Sequence, residues 1–74
     1  MIQKELVELK TIGMNIRKQR ERQKISRRQL AYEIETTEKQ ICRIEYGQIN
    51  SGVMSYIKIA HALNISIEQL FVKM

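Results

Sequence analysis

Five side chains, Glu38, Lys39, Cys42, Arg43 and Tyr46, fall on one side of a helix when residues 37–46 are projected at about 100° per residue. They spread over roughly 140° of that projection, and Ile41 and Ile44 point the opposite way. A cation in such an arc can donate to guanine, a carboxylate can accept from cytosine, and a small apolar group can touch a thymine methyl. The solvated face of any surface helix would present the same pattern. Catalysis has no comparable set. The chain holds one His, one Cys and no Asp, and it lacks a glycine-rich phosphate loop, so no nucleophile, base and acid can be assembled. A zinc site needs more ligands than one Cys and one His supply, and a single cysteine forms no intrachain disulfide. The reading is therefore of a non-enzyme without metal or cofactor.

The elements that must position this arc are written into the 22 residues from Ser26 to Gly47. Ser26 with Gln29, and Thr37 with Gln40, are capping-box spacings that start two helices in succession. Leu30, Ala31 and Ile34 repeat at helical spacing in the first, and Ile41 and Ile44 do so in the second. Gly47 supplies the stop. Two short helices joined by about three residues make a helix-turn-helix, whose second helix, Thr37–Tyr46, can lie in a major groove. Before it, a helix is expected at about residues 11–23 with Ile12 and Ile16 inward. Gly13 should weaken its continuation into residues 1–10 by about 1 kcal/mol relative to alanine. The chain thus divides into an N-terminal extension at 1–10 and a domain at 11–74. After the polar loop 48–52, Val53, Tyr56, Ile59, Ala60 and Leu63 form the stripe of a core helix. Ser66 with Gln69 starts a last short helix carrying Ile67, Leu70 and Phe71. His61 lies off the stripe, as a surface residue would.

Charge is concentrated rather than spread. Arg17, Lys18, Arg20, Arg22, Lys24, Arg27 and Arg28 stand against Glu21 alone, a surplus of +6 in a chain whose net charge is +5. The remaining six basic and seven acidic residues sum to −1. Such a block attracts phosphate and is the electrostatic footprint of a nucleic-acid binder. Only Ile16 and Ile25 are large and apolar within it, too few for an interfacial membrane helix. No apolar run approaches a membrane span and no signal-peptide core stands at the start. A cytoplasmic protein is the expectation. Seventy-four residues make one small domain, with no room beside it for a small-molecule effector domain.

The segments I-R-K-Q-R at 16–20, I-S-R-R-Q-L-A at 25–31, I-C-R-I-E-Y-G at 41–47 and K-I-A-H-A-L-N-I-S at 58–66, followed by I-E-Q-L-F at 67–71, resemble the Cro/C1-type (XRE) helix-turn-helix regulators in order and spacing. The resemblance covers roughly residues 11 to 72. It implies an all-α, compact five-helix bundle of the lambda-repressor-like DNA-binding type, here with a short N-terminal helical extension. Its base-reading positions fall on Glu38, Lys39, Gln40 and Arg43. A phosphate contact, usually glutamine, falls on Arg27, with Arg28 beside it in the basic block. Tyr46, Gln48 and Asn50 fall where the chain runs along the sugar-phosphate backbone. Arg20 and Glu45 correspond to an internal salt bridge. Glu35 takes the place of a glycine that tends to positive φ between the motif helices. Cys42 stands where relatives carry a small residue.

The resemblance implies duplex DNA as partner and a sequence-specific transcription regulator of phage-repressor or restriction-controller type. The alternative from another class is an antitoxin, or another protein-binding module of this fold. Ile65, Ile67, Leu70, Phe71, Val72 and Met74 crowd the last ten residues, and a helix of two turns can bury only one side against its own domain. A symmetric homodimer through that strip is therefore expected, with the extension carrying Ile2, Leu6 and Leu9 as the second candidate face.

Overall fold

In the computed structural model of the chain, residues 2–72 are described, with side chains from residue 8 onward. Helix α1 spans Ile2–Arg22, α2 Arg27–Glu33, α3 Glu38–Glu45 and α4 Val53–Ala62, and a 3-10 helix at Ile67–Leu70 closes the described chain. Among the described residues no helix is long and apolar enough to cross a membrane. The all-helical reading holds, but the count is four α-helices and a 3-10 turn rather than five helices with a separate extension. The last element is four residues long, and its end closes with an i to i+3 bond, Phe71 N donating to Glu68 O at 3.0 Å.

Helix α1 runs unbroken through Gly13, where the sequence alone suggested a weak point. The reason lies across the fold. A Cβ at Gly13 would stand 2.3 Å from the Glu45 carbonyl oxygen and 2.4 Å from that of Ile44. Its absence lets α1 cross the end of α3 backbone to backbone, a contact worth more than the propensity lost. Gly47 completes the crossing from the other side, since a Cβ there would stand 2.8 Å from Lys10 Cα.

All four helices end the same way. The residues after their caps, Lys24, Glu35, Gly47 and Asn64, have φ of 59°, 59°, 69° and 57°. Around Glu35, its own N–H reaches Tyr32 O at 3.2 Å and Thr36 N–H reaches Ala31 O at 2.9 Å, the paired bonds of a Schellman stop. The same two bonds recur at Lys24, Gly47 and Asn64. Glycine would be unstrained at each, asparagine tolerates the left-handed region, and Lys24 and Glu35 do neither.

The core gathers Ile12, Ile16, Leu30, Ala31, Ile41, Ile44, Tyr56, Ile59, Ala60, Leu63 and Leu70. Ile34 packs against its margin. Val53 departs from the expected stripe: it is 63% exposed, because the inward face of α4 begins one turn later, at Tyr56. Leu70 departs too. Expected at a dimer face, it is fully buried in the core of its own chain. Asn15 holds it there, donating from Nδ2 to Leu70 O and Val72 O, both at 2.8 Å. Ile65 and Ile67 are partly buried against the same core, which leaves Phe71 and Val72 as the exposed apolar groups of the described tail. Met74 and the side chains of Ile2 and Leu6 lie outside the described residues.

Two substitutions with opposite expected signs test this backbone. Gly13→Ala gains about 1 kcal/mol of helix propensity, yet should lose a net 1–3 kcal/mol, about the cost of overpacking against rigid backbone. Glu35→Gly should raise the melting midpoint by about 2–6 °C through relief of the left-handed strain. A more stable Gly13→Ala protein in thermal melts would refute the close crossing.

Candidate nucleic-acid interface

Helix α3 is fixed from both sides before it can present anything. Thr37 Oγ1 accepts from Gln40 N–H at 3.1 Å and starts the helix, while Ile41 and Ile44 are buried on its inner side. That orientation leaves Glu38, Lys39 and Arg43 exposed, Gln40 and Cys42 half-buried, and Tyr46 half exposed at the cap. Glu38 also sits in the first turn, where a carboxylate complements the helix dipole. Helix α2 starts on Ser26, whose Oγ accepts from Gln29 N–H at 3.0 Å, and presents Arg28 to solvent. In the loop after α3, Gln48 is exposed, and Asn50 Oδ1 is engaged by Gly52 N–H at 3.0 Å and by the Tyr56 hydroxyl at 3.5 Å. Asn50 is thus a loop-former through its oxygen, with its amide N–H groups outside those two bonds.

Behind the presented face lies an ion cluster. The Glu45 side chain is fully buried and accepts from Arg20 Nε at 2.6 Å and Arg20 Nη2 at 3.1 Å, a bidentate pair. Arg20 Nη1 donates to Ile25 O at 2.9 Å, which ties the pair to the α1–α2 turn. Arg27 joins as a third member, with its Nε on Glu45 Oε1 at 3.0 Å. Its guanidinium also stands 5.8 Å from the centroid of the Tyr46 ring. The Glu45 hydrogen bond raises the Arg27 pKa further above its ordinary value, against a smaller opposing effect of burial. The resemblance implied only a phosphate contact for Arg27; the one signal for its bond to Glu45 is capacity, since a buried carboxylate has more acceptor sites than one arginine fills.

Two further features escaped sequence reasoning. Gln23 Nε2 donates to Leu63 O at 2.6 Å, pinning the end of α1 to the end of α4. An open cleft of about 760 Å³ is lined by Lys10, Met14 and Arg17 of α1 together with Glu45, Tyr46, Gly47 and Gln48. On another side of the molecule, His61 is exposed and shares a cleft with Glu33, Glu35 and Lys58. Among the described residues no group of three His, Cys, Asp or Glu could hold a metal ion.

A basic segment, two short helices at a fixed angle and an outward polar face on the second define a DNA-binding helix-turn-helix domain. The chain belongs to the helix-turn-helix family of the Cro/C1 type: the family model matches residues 16–70. It is a DNA-binding transcription regulator. Among solved structures it is similar to the restriction-modification controller protein C.AhdI from Aeromonas hydrophila, with a TM-score of 0.84 and 27% sequence identity over 89% of this chain and 96% of that one. No curated protein matches it.

The shared carboxylate makes an ordered prediction for stability. Glu45→Ala strands a buried Arg20 and should cost about 3–5 kcal/mol. Arg20→Ala should cost less, because Arg27 still donates to Glu45, and Arg27→Ala least, because the bidentate pair survives. Urea unfolding of the three variants gives the order. An Arg27→Ala loss equal to that of Glu45→Ala would mean the bidentate pair contributes nothing.

Proposed function

We propose that this regulator binds a specific duplex sequence by placing α3 in the major groove, in the manner of a restriction controller or phage repressor. Glu38, Lys39, Gln40 and Arg43 read base edges. Arg27, Arg28, Tyr46, Gln48 and Asn50 hold the flanking phosphates and sugars. The observation that carries this reading is the fixed orientation of α3: Ile41 and Ile44 lock one side into the core and leave charged donors and acceptors on the other. Similarity to a restriction-modification controller supports the regulatory type. Selection of bound sequences from a random duplex pool tests it, and a common motif is the expected outcome. On that motif Arg43→Ala should lose about 1–3 kcal/mol and relax discrimination. The exposed Arg28→Ala should weaken selected and random duplexes alike. Enrichment of no motif, or equal losses for both variants on both duplexes, overturns the reading.

The working form in this proposal is a symmetric homodimer, since one recognition helix reads few base pairs and two copies engage half-sites about 34–36 Å apart. Its face is revised from the whole final helix to its exposed remainder. Phe71 is 47% exposed, packed edge-on against Tyr56 at 6.5 Å between centroids, and Val72 is 54% exposed beside it. Ile65 and Ile67 would contribute only their outer edges. Sedimentation equilibrium of the wild type should show a dimer, and Phe71→Lys should shift it to monomer. A wild type that stays monomeric at high micromolar concentration contradicts the dimer, and a dimeric Phe71→Lys protein moves the face elsewhere.

A further inference from the structure

The cleft between α1 and the end of α3 shares Tyr46 and Gln48 with the backbone-contacting set above, but its α1 residues belong to none of those positions. One wall is Lys10, Met14 and Arg17, spaced i, i+4 and i+7 and therefore on a single stripe of α1, about 10 Å long at 1.5 Å per residue. The facing wall is Tyr46, Gly47 and Gln48. Met14 is 57% exposed and Tyr46 50% exposed, so apolar surface lies open between cationic groups. The stem of Lys10 lies directly over Gly47, where a Cβ would stand 2.7 Å from Lys10 Cγ.

From this arrangement we infer that the α1 stripe is a second backbone-binding strip for the same DNA duplex, with Lys10 and Arg17 on phosphates and Met14 against the deoxyribose between them. The inference rests on the DNA-binding reading and extends the footprint beyond the helix-turn-helix itself. A nucleic-acid strand alternates anionic phosphate with apolar sugar carbons, and the stripe alternates cation, thioether and cation in the same way. Tyr46 and Gln48 add neutral donors on the opposite wall. The carboxylate in the lining does not oppose an anion, because Glu45 is already held by Arg20 and Arg27. Arg17 donates its Nε to Glu21 at 3.1 Å in an exposed i,i+4 pair, weak enough to yield to a phosphate, and its terminal nitrogens lie outside that bond. The position also agrees with the rest of the surface. The cleft around His61 sets Glu33 and Glu35 beside Lys58, and a phosphate strand would meet repulsion there.

The test is a salt series of fluorescence-anisotropy titrations with the pool-selected duplex and a random duplex of equal length. Wild type, Lys10→Gln, Arg17→Gln, the double variant and a Lys58→Gln control are compared, with thermal melts to establish folding. Each lost phosphate contact lowers the slope of log K against log salt by about 0.9, which corresponds to about eightfold weaker binding near 0.1 M salt. Lys10→Gln and Arg17→Gln should each show that loss on both duplexes, the double variant about twice the slope change, and Lys58→Gln none. Wild-type slopes in the folded double variant overturn the strip. An equal slope change in Lys58→Gln overturns its location, as the effect would then be one of net charge. A loss confined to the selected duplex would place these residues at bases instead and likewise contradict the inference. Failure of the wild type to bind any duplex would sink the DNA-binding reading itself, before the variants are compared.

Discussion

The buried carboxylate of Glu45 is the constraint on which the other elements depend. A charge without water must be matched by donors at close range, and here the match comes from two helices other than its own. Arg20 reaches it from α1 and Arg27 from α2, so satisfying one carboxylate fixes where three helices stand. The glycines complete the constraint sterically. Gly13 lets α1 touch the carbonyls of Ile44 and Glu45, and Gly47 lets the chain leave α3 directly under Lys10. Without that close crossing the Arg20 guanidinium would not lie at 2.6 Å from Glu45. Polar geometry and backbone approach thus act together with the burial of Ile41 and Ile44 in setting α3.

Polar tethers extend the same logic to the remaining parts. Asn15 collects the carbonyls of Leu70 and Val72, and Gln23 collects that of Leu63. Asn15 lies within α1 and Gln23 directly follows its last residue, so the longest helix serves as a spine to which the ends of α4 and the closing 3-10 turn are hydrogen-bonded. Each tether satisfies carbonyls left open where a helix finishes, which would otherwise carry a desolvation cost. The tail therefore belongs to the domain, with Leu70 in the core and Phe71 and Val72 at the surface.

The helix starts and the inward faces were legible in the sequence because they are local. Ser26, Thr37 and Ser66 announce caps within four residues, and Ile12, Ile16, Ile41 and Ile44 declare their side by period. What the sequence could not convey is contact at long separation. Gly13 reads as a helix breaker until the α3 carbonyls opposite it are known. Leu70 and Phe71 are adjacent and both apolar, yet one is fully buried and the other about half exposed, and the Asn15 bond to the Leu70 carbonyl spans 55 residues. The candidate interface was legible in its exposed part for the same local reason: Glu38, Lys39 and Arg43 are outward because Ile41 and Ile44 are inward. Arg27 was only half legible. The family resemblance implied a phosphate contact for it, and nothing near it in sequence pointed to Glu45.

That double engagement of Arg27 bears on how the proposed interface would meet a phosphate. A free arginine on a helix surface samples many rotamers, and ordering it on binding costs about 0.5–1.5 kcal/mol. Arg27 has its Nε on a buried carboxylate and its plane near the Tyr46 ring, so much of that cost is met during folding. Its remaining N–H groups are then offered at a fixed place beside the end of α3. Arg20 already matches Glu45 through two bonds, and Arg27 adds a third to the same carboxylate. Arg27 therefore adds positive charge beside a carboxylate that Arg20 already matches, and its guanidinium stays partly exposed. The geometry of Arg27 is thus set by the fold, through Glu45 and Tyr46.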